Sequence, residues 1–460
     1  MFRSLLLHLH HLPLFPAHFS SSFIPFFLLL LRDMPPKRAA PADSVSTSAD
    51  AGPSTSTTAK RAKRGEETAA AAAADEESTE RGWKTINDVL AYQPPGIAGN
   101  PRIIGFDIDD TIITTKSGKT FATSAADWQF WDATVPAKLQ EFHGLGYKIV
   151  FFSNQGGISK GQTTAAIFKR KLRDVLAAVK GVPIQVYAST TSGKYRKPAT
   201  GMWGMFTKGG NGGVEVDLTQ SMYVGDAAGR AKNWQPNKKK DFSDSDRKFA
   251  LNLGIAFKTP EEFFLGQTPA PFTLEGADPR LLKADGPMFE PANTQLIASQ
   301  QEMVVMVGYP GSGKSFFTEK ELEQRGGYTR VNRDTLKTKE KCLKVAEEAL
   351  AAGHSVVIDN TNPDVEARAP YLALAKRYKV PVRAFVMQTT FDEAMHNNMF
   401  REVISNGENE HVPSVVYYTF RKKYIEPTVG EGYTQVVKTF FRPKFTDPFV
   451  EKIFYMWTPL

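Results

Sequence analysis

The segment Gly308–Ser315, with the sequence Gly-Tyr-Pro-Gly-Ser-Gly-Lys-Ser, limits what this chain can fold into more than any other stretch. It matches the pattern GxxxxGK(S/T) and directly follows the apolar run Met303–Val307, which predicts a strand, a tight loop and a helix in that order. In such a loop the backbone N–H groups turn towards a polyphosphate, the lysine reaches its β and γ oxygens, and the final hydroxyl binds Mg²⁺. The sequence therefore predicts a site for a nucleoside triphosphate and Mg²⁺, formed by Gly308, Gly311, Ser312, Gly313, Lys314 and Ser315.

The composition is that of a globular protein with more than one domain. The chain has 460 residues, of which 41% are hydrophobic and 23% charged, and this length accommodates two or three domains. A net charge of +8 suits an anionic partner without identifying one. The single cysteine, Cys342, excludes an internal disulfide framework and favours a reducing, intracellular compartment. As a small apolar side chain, it is expected to be buried.

Residues 1–33 form an apolar leader whose meaning the sequence leaves open. Pro13, Pro16 and Pro25 interrupt it, so no run reaches the roughly 20 apolar residues that a membrane helix needs, and no membrane association is expected. Because a different composition begins at Met34, translation starting there would make the leader an upstream artefact. If Met1 is instead the working start, the leader is a targeting segment, with the mitochondrion as its destination.

Residues 34–82 are predicted to be a disordered basic tail. They are rich in Ser, Thr, Ala and Pro and contain little that could form a core. The cluster Lys60-Arg-Ala-Lys-Arg64 is typical of a nuclear-localisation signal, which predicts the nucleus as the location of the protein. The alternative is a solvated basic tail with no such role.

The middle of the chain, residues 83–266, carries further polar residues at the ends of predicted strands. The apolar run Arg102–Phe106 ends in Asp107 and Asp109, and strands alternate with helical segments beyond it. This alternation predicts a doubly wound parallel sheet, in which the carboxyl ends of the strands converge on one crevice. Taken alone, the Asp-x-Asp-x-Thr motif also suits an aspartate-rich turn. The residues predicted to meet in the crevice are Asp107, Asp109, Ser153, Lys197 and Asp226.

This order of residues resembles that of the haloacid dehalogenase-like phosphatases. The resemblance implies that Asp107 attacks phosphorus to give an aspartyl-phosphate, and that Asp109 acts first as an acid and then as a base. It also implies that Ser153 hydrogen-bonds the phosphoryl oxygens and that Lys197 neutralises their charge. Mg²⁺ would be held by Asp107, the backbone carbonyl of Asp109, and Asp226.

Longer strings extend the resemblance to a narrower family, the eukaryotic polynucleotide kinase 3′-phosphatases, over Trp83 to Leu460. Asp110 stands where that family usually has Gly, which places an additional carboxylate beside the site. No counterpart of the vertebrate phosphopeptide-binding module is recognised ahead of Trp83, so the resemblance identifies no repair scaffold as a partner. The strings are Thr114-Thr-Lys-Ser-Gly-Lys119, Ser153-Asn-Gln-Gly-Gly-Ile158, Tyr195-Arg-Lys-Pro198 and Val224-Gly-Asp-Ala-Ala-Gly-Arg230.

A proline-rich segment, residues 267–298, is predicted to be a linker to a P-loop kinase domain, residues 299–460. The resemblance implies that Asp334 is the base for a 5′-hydroxyl and that Asp359 lies near Mg²⁺. Arg401 would bind the ATP phosphates from a lid segment. Met399 replaces an arginine often found in that lid, which implies weaker retention of ATP.

Tryptophans of the middle segment are interleaved with basic residues such as Arg196, Arg230 and Lys238–Lys240. Aromatic faces beside a basic groove suit unpaired bases and their backbone. Packing in the core is the favoured alternative for most of these side chains. The tryptophans are Trp128, Trp131, Trp203 and Trp234.

The sequence thus predicts an α/β protein with two doubly wound parallel-sheet domains, a haloacid dehalogenase-like one followed by a P-loop kinase, after a disordered amino-terminal region. The resemblance implies an enzyme dependent on Mg²⁺ and ATP that removes 3′-phosphates from DNA and phosphorylates 5′-hydroxyls at nicks, gaps and single-strand breaks. Two alternatives stay open: a phosphatase/kinase fusion acting on small molecules, and a non-catalytic scaffold that binds breaks. The sequence does not rank DNA against RNA.

Overall fold

The computed structural model describes residues 80–405 and 411–458, which belong to one compact unit, Glu67–Leu460. The predictions for the leader, for the cluster Lys60–Arg64 and for the rest of the tail up to residue 79 lie outside the described residues. None of the helices in the described part combines the length and the apolar composition needed to cross a membrane.

The first domain is built on a seven-stranded sheet. Its strands are β1 Trp83–Ile86, β2 Val89–Tyr92, β3 Ile103–Phe106, β6 Lys148–Asn154, β7 Ile184–Ser189, β8 Met222–Val224 and β9 Ala256–Lys258, and a separate hairpin pairs β4 Ile113–Thr114 with β5 Gln129–Phe130. The spatial order is β1-β2-β7-β6-β3-β8-β9, parallel from β7 to β9 with an antiparallel edge formed by β1 and β2. The wholly buried β3 is central, so its carboxyl end lies where the strand order reverses, the usual position of a site in such sheets.

Helices cover both faces of this sheet. On one face, Phe106 and Phe151 share an apolar cluster with Phe168 of the helix Ala165–Ala178. On the other face, Phe152 shares a second cluster with Phe249 of the helix Ser245–Leu253. Thr164 begins one of these helices by accepting the N–H of Ile167. The helices on the Phe168 side are Val135–Gly144, Ala165–Ala178 and Pro260–Phe264. Those on the Phe249 side are Gly201–Met205, the π-helical turn Phe206–Gly210, and Ser245–Leu253.

The second domain is built on a six-stranded sheet. Its strands are β10 Phe289–Glu290, β11 Met303–Val307, β12 Thr329–Val331, β13 Val356–Ile358, β14 Val382–Met387 and β15 Gln435–Thr439. The order is β10-β15-β14-β11-β13-β12, and all pairs except β10–β15 are parallel. The prediction of two doubly wound, largely parallel sheets is confirmed.

Helices also lie on both faces of the second sheet. Cys342, predicted to be a buried apolar side chain, is fully buried between the helix that carries it and the sheet. The helices are Lys314–Phe317, continued by the π-helical turn Thr318–Glu323 and by Gln324–Gly326, then Arg333–Leu336, Lys339–Ala351, Val365–Arg377, Phe391–Ile404, Ser414–Lys423 and Pro448–Phe454, with a 3₁₀ turn at Val429–Glu431.

The segment predicted as a linker, residues 267–298, is bound to both domains. Near its start, Phe272 forms a β-bridge with Arg230, and the N–H of Glu275 donates to Asp244 Oδ2 at 2.7 Å. Later it forms a 3₁₀ turn, Pro279–Leu281, and then β10, which pairs with β15 and so belongs to the second sheet. The segment is therefore fixed at both ends by contacts with the folded domains.

The two domains also meet near the end of the chain. Asn252, on the helix Ser245–Leu253, accepts the N–H of Trp457 at 2.7 Å and donates to the carbonyl oxygens of Trp457 and Pro198 at 2.8 and 2.9 Å. Burial lowers the pKa of His396 to about 4, so the neutral ring donates from Nε2 to the carbonyl of Phe454 at 2.8 Å. The end of the chain therefore connects the two domains. Trp457 binds the first domain, and Phe454 of the helix Pro448–Phe454 binds the helix Phe391–Ile404 of the second.

We expect Asn252→Ala to destabilise the protein, because it removes three hydrogen bonds between partly buried groups. At roughly 1 kcal/mol for each bond, the loss is about 2–3 kcal/mol, which lowers the Tm by about 4 °C or more. Differential scanning calorimetry measures this shift, with the exposed Asn293→Ala as the control that should leave the Tm unchanged. Equal Tm values for the two variants would contradict the role of Asn252.

Candidate active sites in the two domains

The first candidate site is centred on Asp107, the residue that follows β3. Its N–H donates to the carbonyl of Val224 at 2.9 Å, which continues the β3–β8 pairing and fixes the backbone at the carboxyl end of the sheet. The side chain is 14% exposed, and its Oδ1 accepts a hydrogen bond of 2.6 Å from Lys197 Nζ. Asp107 is thus a partly accessible carboxylate held by a buried lysine.

Lys197 is only 2% exposed and its ammonium group is bound on three sides. Nζ donates to Asp107, to Asp246 Oδ1 at 2.7 Å and to the Tyr223 hydroxyl at 2.8 Å. Burial opposes the positive charge, but the carboxylates of Asp107 and Asp246 outweigh it and raise the pKa of Lys197. Lys197 therefore stays protonated, and protein contacts alone fix its position.

Asp107, Asp226 and Asp246 form an acidic cluster, in which one carboxylate oxygen of each residue lies within 4.8 Å of the others. Burial raises the pKa of Asp107 to about 7, although Lys197 acts in the opposite direction. Burial, together with the charges of Asp246 and Asp107, also raises the pKa of Asp226 well above its ordinary value. The three carboxylates form an oxygen-only donor set that fits a hard divalent cation such as Mg²⁺.

Asp109 lies beside this cluster, and its negative charge contributes to the raised pKa of Asp107. Its own carboxylate is bound by Lys171 Nζ at 3.0 Å and by Gln155 Nε2 at 2.7 Å. Gln155 also donates to the hydroxyl of Ser153 at 2.9 Å, and that hydroxyl is 1% exposed. One amide group therefore links the two predicted residues Asp109 and Ser153 at the carboxyl ends of β3 and β6.

Asp110 occupies a backbone position that suits glycine. Its φ of +55° lies in the left-handed region, where a side chain is disfavoured. The exposed carboxylate accepts the Thr114 hydroxyl at 3.1 Å, and its charge adds to the raised pKa of Asp226. The additional carboxylate therefore lies close to the acidic cluster without being one of its three members.

The second candidate site is the loop Gly308–Ser315, which follows β11. Gly311 and Gly313 have φ values of +72° and +92°. A Cβ atom on Gly311 would lie 2.6 Å from the carbonyl oxygen of Ala394, and one on Gly313 would lie 2.3 Å from the Phe441 ring. Both positions therefore require glycine, for the backbone conformation and for lack of space.

Lys314 is buried within this loop. Its Nζ donates to the carbonyl oxygens of Gly308 at 3.0 Å and Tyr309 at 2.5 Å. Burial lowers the pKa of Lys314 to about 8; Asp359 and Asp334 act against this shift, and Arg401 adds to it. These charges show that the acidic residues after β12 and β13, and the basic residue of the helix Phe391–Ile404, all lie near the loop.

Asp359, directly after β13, is 2% exposed and held by a basic and a polar neighbour. Arg330 donates to its Oδ2 twice, at 2.9 and 2.7 Å, and Asn332 donates to the same oxygen at 3.1 Å. The other oxygen, Oδ1, is buried without a hydrogen-bond partner within the described part of the chain. A buried carboxylate oxygen without a partner is unfavourable, and it fits a magnesium ion or its bound water near Ser315.

Asp334 and Arg401, the other predicted kinase residues, are exposed at the edges of the same site. Asp334 lies in the short helix Arg333–Leu336, which begins with Asn332 accepting the N–H groups of Asp334 and Thr335. Arg401 lies in the last turn of the helix Phe391–Ile404. Met399, in the same helix, is 7% exposed, so it packs in the protein interior.

The structure brings together the predicted residues of each site, but three charged residues that complete them were not anticipated. Asp246 completes the acidic cluster, Lys171 binds Asp109, and Arg330 binds Asp359. Asp246 lies in the first turn of the helix Ser245–Leu253, where an acidic residue is equally typical of stabilisation by the helix dipole. Lys171 and Arg330 lie within an ordinary helix and strand, where a single basic residue indicates a solvated face.

One sheet of this chain thus carries a centre of three carboxylates and a lysine. The other carries a glycine-rich loop that fits a nucleoside triphosphate. A family model described as polynucleotide kinase 3 phosphatase matches residues 102–264, and an AAA domain model matches residues 303–427. The bifunctional polynucleotide phosphatase/kinase of Schizosaccharomyces pombe is 38% identical over 367 residues, covering 80% of this chain and 86% of that protein. This chain therefore belongs to the family of bifunctional polynucleotide phosphatase/kinases.

Two further relatives match a smaller share of the chain. A polynucleotide 3′-phosphatase of Arabidopsis thaliana is 37% identical over 206 residues, covering 42% of this chain and 28% of that protein. A polynucleotide 3′-phosphatase of Saccharomyces cerevisiae is 30% identical over 217 residues, covering 36% of this chain and 88% of that protein.

We expect Asp246→Asn to lower the affinity of the phosphatase site for Mg²⁺. The amide keeps the shape of the side chain but removes one of three negative charges, so half-maximal activity should require about tenfold more Mg²⁺. Titration of phosphatase activity with MgCl₂ measures this, with the exposed Glu141→Gln as a matched control. An unchanged titration curve would exclude Asp246 from the cation site.

Proposed function

We propose that this protein repairs DNA strand-break ends, removing a 3′-phosphate in the first domain and phosphorylating a 5′-hydroxyl with ATP in the second. The observation that carries the proposal is the presence, in one chain, of the Asp107–Lys197 centre and the loop Gly308–Ser315. The names of the relatives supply the substrate class, since the fission yeast relative is a polynucleotide phosphatase/kinase. Together the two reactions convert a 3′-phosphate and a 5′-hydroxyl into ends that a ligase can join.

In the first domain, Asp107 is the proposed nucleophile. Its carboxylate oxygen bonds to phosphorus as the bond between phosphorus and the sugar O3′ breaks, and a proton from Asp109 goes to O3′. Asp109 then takes a proton from the water that hydrolyses the aspartyl-phosphate. The Ser153 hydroxyl binds the phosphoryl oxygens. Lys197 neutralises charge on the phosphate and the nucleophile, and its contacts hold it next to Asp107 throughout.

In the second domain, Asp334 is the proposed base that takes the proton from the 5′-hydroxyl. The hydroxyl oxygen bonds to the γ-phosphorus of ATP as the bond from that phosphorus to the β,γ-bridging oxygen breaks, and ADP leaves. Lys314 and Arg401 bind the phosphates of ATP. Asp107, Asp226 and Asp246 in the first domain, and Ser315 and Asp359 in the second, would hold Mg²⁺, which would supply positive charge that reduces repulsion between the phosphate and the incoming oxygen. Lys314 would exchange its bonds with loop carbonyls for bonds with phosphate oxygens.

The proposal is tested on a nicked DNA duplex that carries a 3′-phosphate and a 5′-hydroxyl at the nick. With Mg²⁺ and ATP, both ends should be converted, and a large excess of free nucleoside 3′-monophosphate should not compete. Gel analysis of each labelled strand follows the two ends separately, and the same nick in RNA compares the two nucleic acids. Strong competition by the free nucleotide would favour the small-molecule alternative, and binding without turnover would favour the scaffold.

We expect single substitutions to separate the two activities, because their reacting groups lie at different sheets. Asp107→Asn should lower 3′-phosphatase activity at least about a hundredfold and leave the kinase unchanged. Lys314→Ala should impair ATP binding and phosphoryl transfer, whereas Asp334→Asn should mainly lower kcat. Both should leave 3′-phosphate removal at the wild-type rate.

The same gel assay, with separate kcat and KM values for ATP, measures these effects. Circular dichroism and the unaffected activity serve as controls for folding. A tenfold loss of phosphatase activity in folded Lys314→Ala protein would contradict two independent sites and indicate one composite site or obligatory coupling.

A further inference from the structure

The carboxyl group of Asp109 is held by the protein through both of its oxygens. Lys171 Nζ donates to Oδ1 at 3.0 Å, and Gln155 Nε2 donates to Oδ2 at 2.7 Å. The side chain is 53% exposed, and a carboxyl group bound only by water would rotate freely at such a position. The two donors therefore fix the plane of this group, and each oxygen keeps a second lone pair that can hold a proton.

Lys171 is buried although its partner is not. Its side chain is 9% exposed, against 53% for Asp109, and within the described part of the chain its one ion pair is with Asp109. Removing an ammonium group from water is unfavourable unless a partner compensates for it, whereas the exposed carboxylate would be hydrated without the lysine. Such a pair adds little net stability. The geometry that the contact gives to Asp109 is therefore the better explanation for it.

The helix Ala165–Ala178 carries Lys171 and fixes its stem. Phe168 and Leu172, one turn apart on this helix, are 1% and 0% exposed and pack in the apolar cluster that also contains residues of β3. Lys171 lies between them in the sequence, so the backbone that carries it cannot shift without opening the core. The ammonium group is thus presented by a packed helix to Asp109, in the segment that follows β3.

Gln155 uses both N–H groups of its side-chain amide. Besides Asp109, its Nε2 donates to Ser153 Oγ at 2.9 Å, and its backbone N–H donates to the carbonyl of Ser189 at 2.7 Å, which fixes the residue beside β7. A hydroxyl that accepts one hydrogen bond keeps its own O–H for another acceptor. One amide therefore orients two groups: the carboxyl group of Asp109 and the hydroxyl of Ser153 that is proposed to bind the phosphoryl oxygens.

We propose that Lys171 is a positioning residue of the phosphatase, which acts with Gln155 to hold the carboxyl group of Asp109 in its reactive orientation. This inference rests on the proposed function and adds to it two residues that act through Asp109. In the first step the bond from phosphorus to O3′ breaks and the proton of Asp109 goes to O3′. In the second, a water oxygen bonds to phosphorus, its proton goes to Asp109, and the bond to Asp107 breaks. Lys171 and Gln155 neither give nor take a proton.

The test compares Lys171→Met with Lys169→Met in the full chain. Lys169 is a matched control because it is also buried in the same helix but binds Glu80 at 2.6 Å. On a DNA oligonucleotide with a 3′-phosphate, Lys171→Met should lower kcat about ten- to a hundredfold, the usual effect of misplacing an acid–base group. KM should stay within about twofold, because the lost contact is with Asp109. Lys171→Arg should retain more of the rate, and Lys169→Met should keep the wild-type kcat.

Two further measurements distinguish an action through Asp109 from a direct contact with the substrate. In the Asp109→Asn background, Lys171→Met should have little further effect, so the two losses should not add. On p-nitrophenyl phosphate, whose phenolate leaves without a proton, Lys171→Met should lower kcat/KM much less than on DNA. This ratio covers only the steps up to departure of the leaving group, so later hydrolysis does not affect the comparison.

The 5′-kinase rate of each protein verifies its folding. If Lys171→Met does not fold, Gln155→Leu tests the bond to the other oxygen of Asp109, and a wild-type kcat for that variant overturns the inference.

The outcomes separate this inference from the proposed function. Equal kcat values for Lys171→Met and Lys169→Met, additive losses with Asp109→Asn, or equal losses on the two substrates overturn the role of Lys171 and leave the proposed function intact. A wild-type protein that removes no 3′-phosphate from DNA overturns the proposed function, and this inference with it.

Discussion

The first domain depends on one buried ionic contact, in which the ammonium group of Lys197 lies between Asp107 and Asp246. Lys197 and Asp246 are 2% and 1% exposed, and charges at that depth are stable only when each satisfies the other. The contact joins three parts of the fold: the end of β3, the segment after β7, and the helix Ser245–Leu253. Asp226 is held separately, since its N–H donates to the Thr111 hydroxyl at 3.1 Å.

The two domains use the same arrangement with different partners. In each, a carboxylate at the carboxyl end of a central parallel strand is held through one oxygen by a basic side chain: Asp107 Oδ1 by Lys197, and Asp359 Oδ2 by Arg330. Fixing one oxygen orients the other, and in Asp359 that other oxygen is the one without a partner among the described residues. A parallel sheet supplies such positions repeatedly, because its strands all end at the same edge.

The sheets and most of the acidic site residues could be predicted from the sequence, because both follow from local patterns. Apolar runs ending in Asp107, Asp226 and Asp359 predict where parallel strands stop, and the glycine loop predicts its own conformation. Asp246, Lys171 and Arg330 could not be predicted in the same way, since each acts through a residue distant in the sequence. Their roles depend on which elements become neighbours, and no local periodicity contains that information.

The interpretation of residues 267–298 as a linker shows a related limit. Prolines and glycines correctly indicate little regular structure, but they do not reveal that Phe272 and β10 bind opposite domains. Composition reports local conformation and not the contacts that a segment makes.

Hydrogen bonds also join the two domains close to both proposed sites. Asn252 binds the carbonyl of Pro198, next to the catalytic candidate Lys197, and also binds Trp457. On the other side, Ser192 donates to Glu402 at 2.9 Å, next to Arg401. The residues proposed to react in each site belong to one domain, so a change at this interface is expected to lower both activities by loosening the shared framework. On that proposal, a loss confined to one activity indicates a change within its own sheet, which separates a structural defect from a catalytic one.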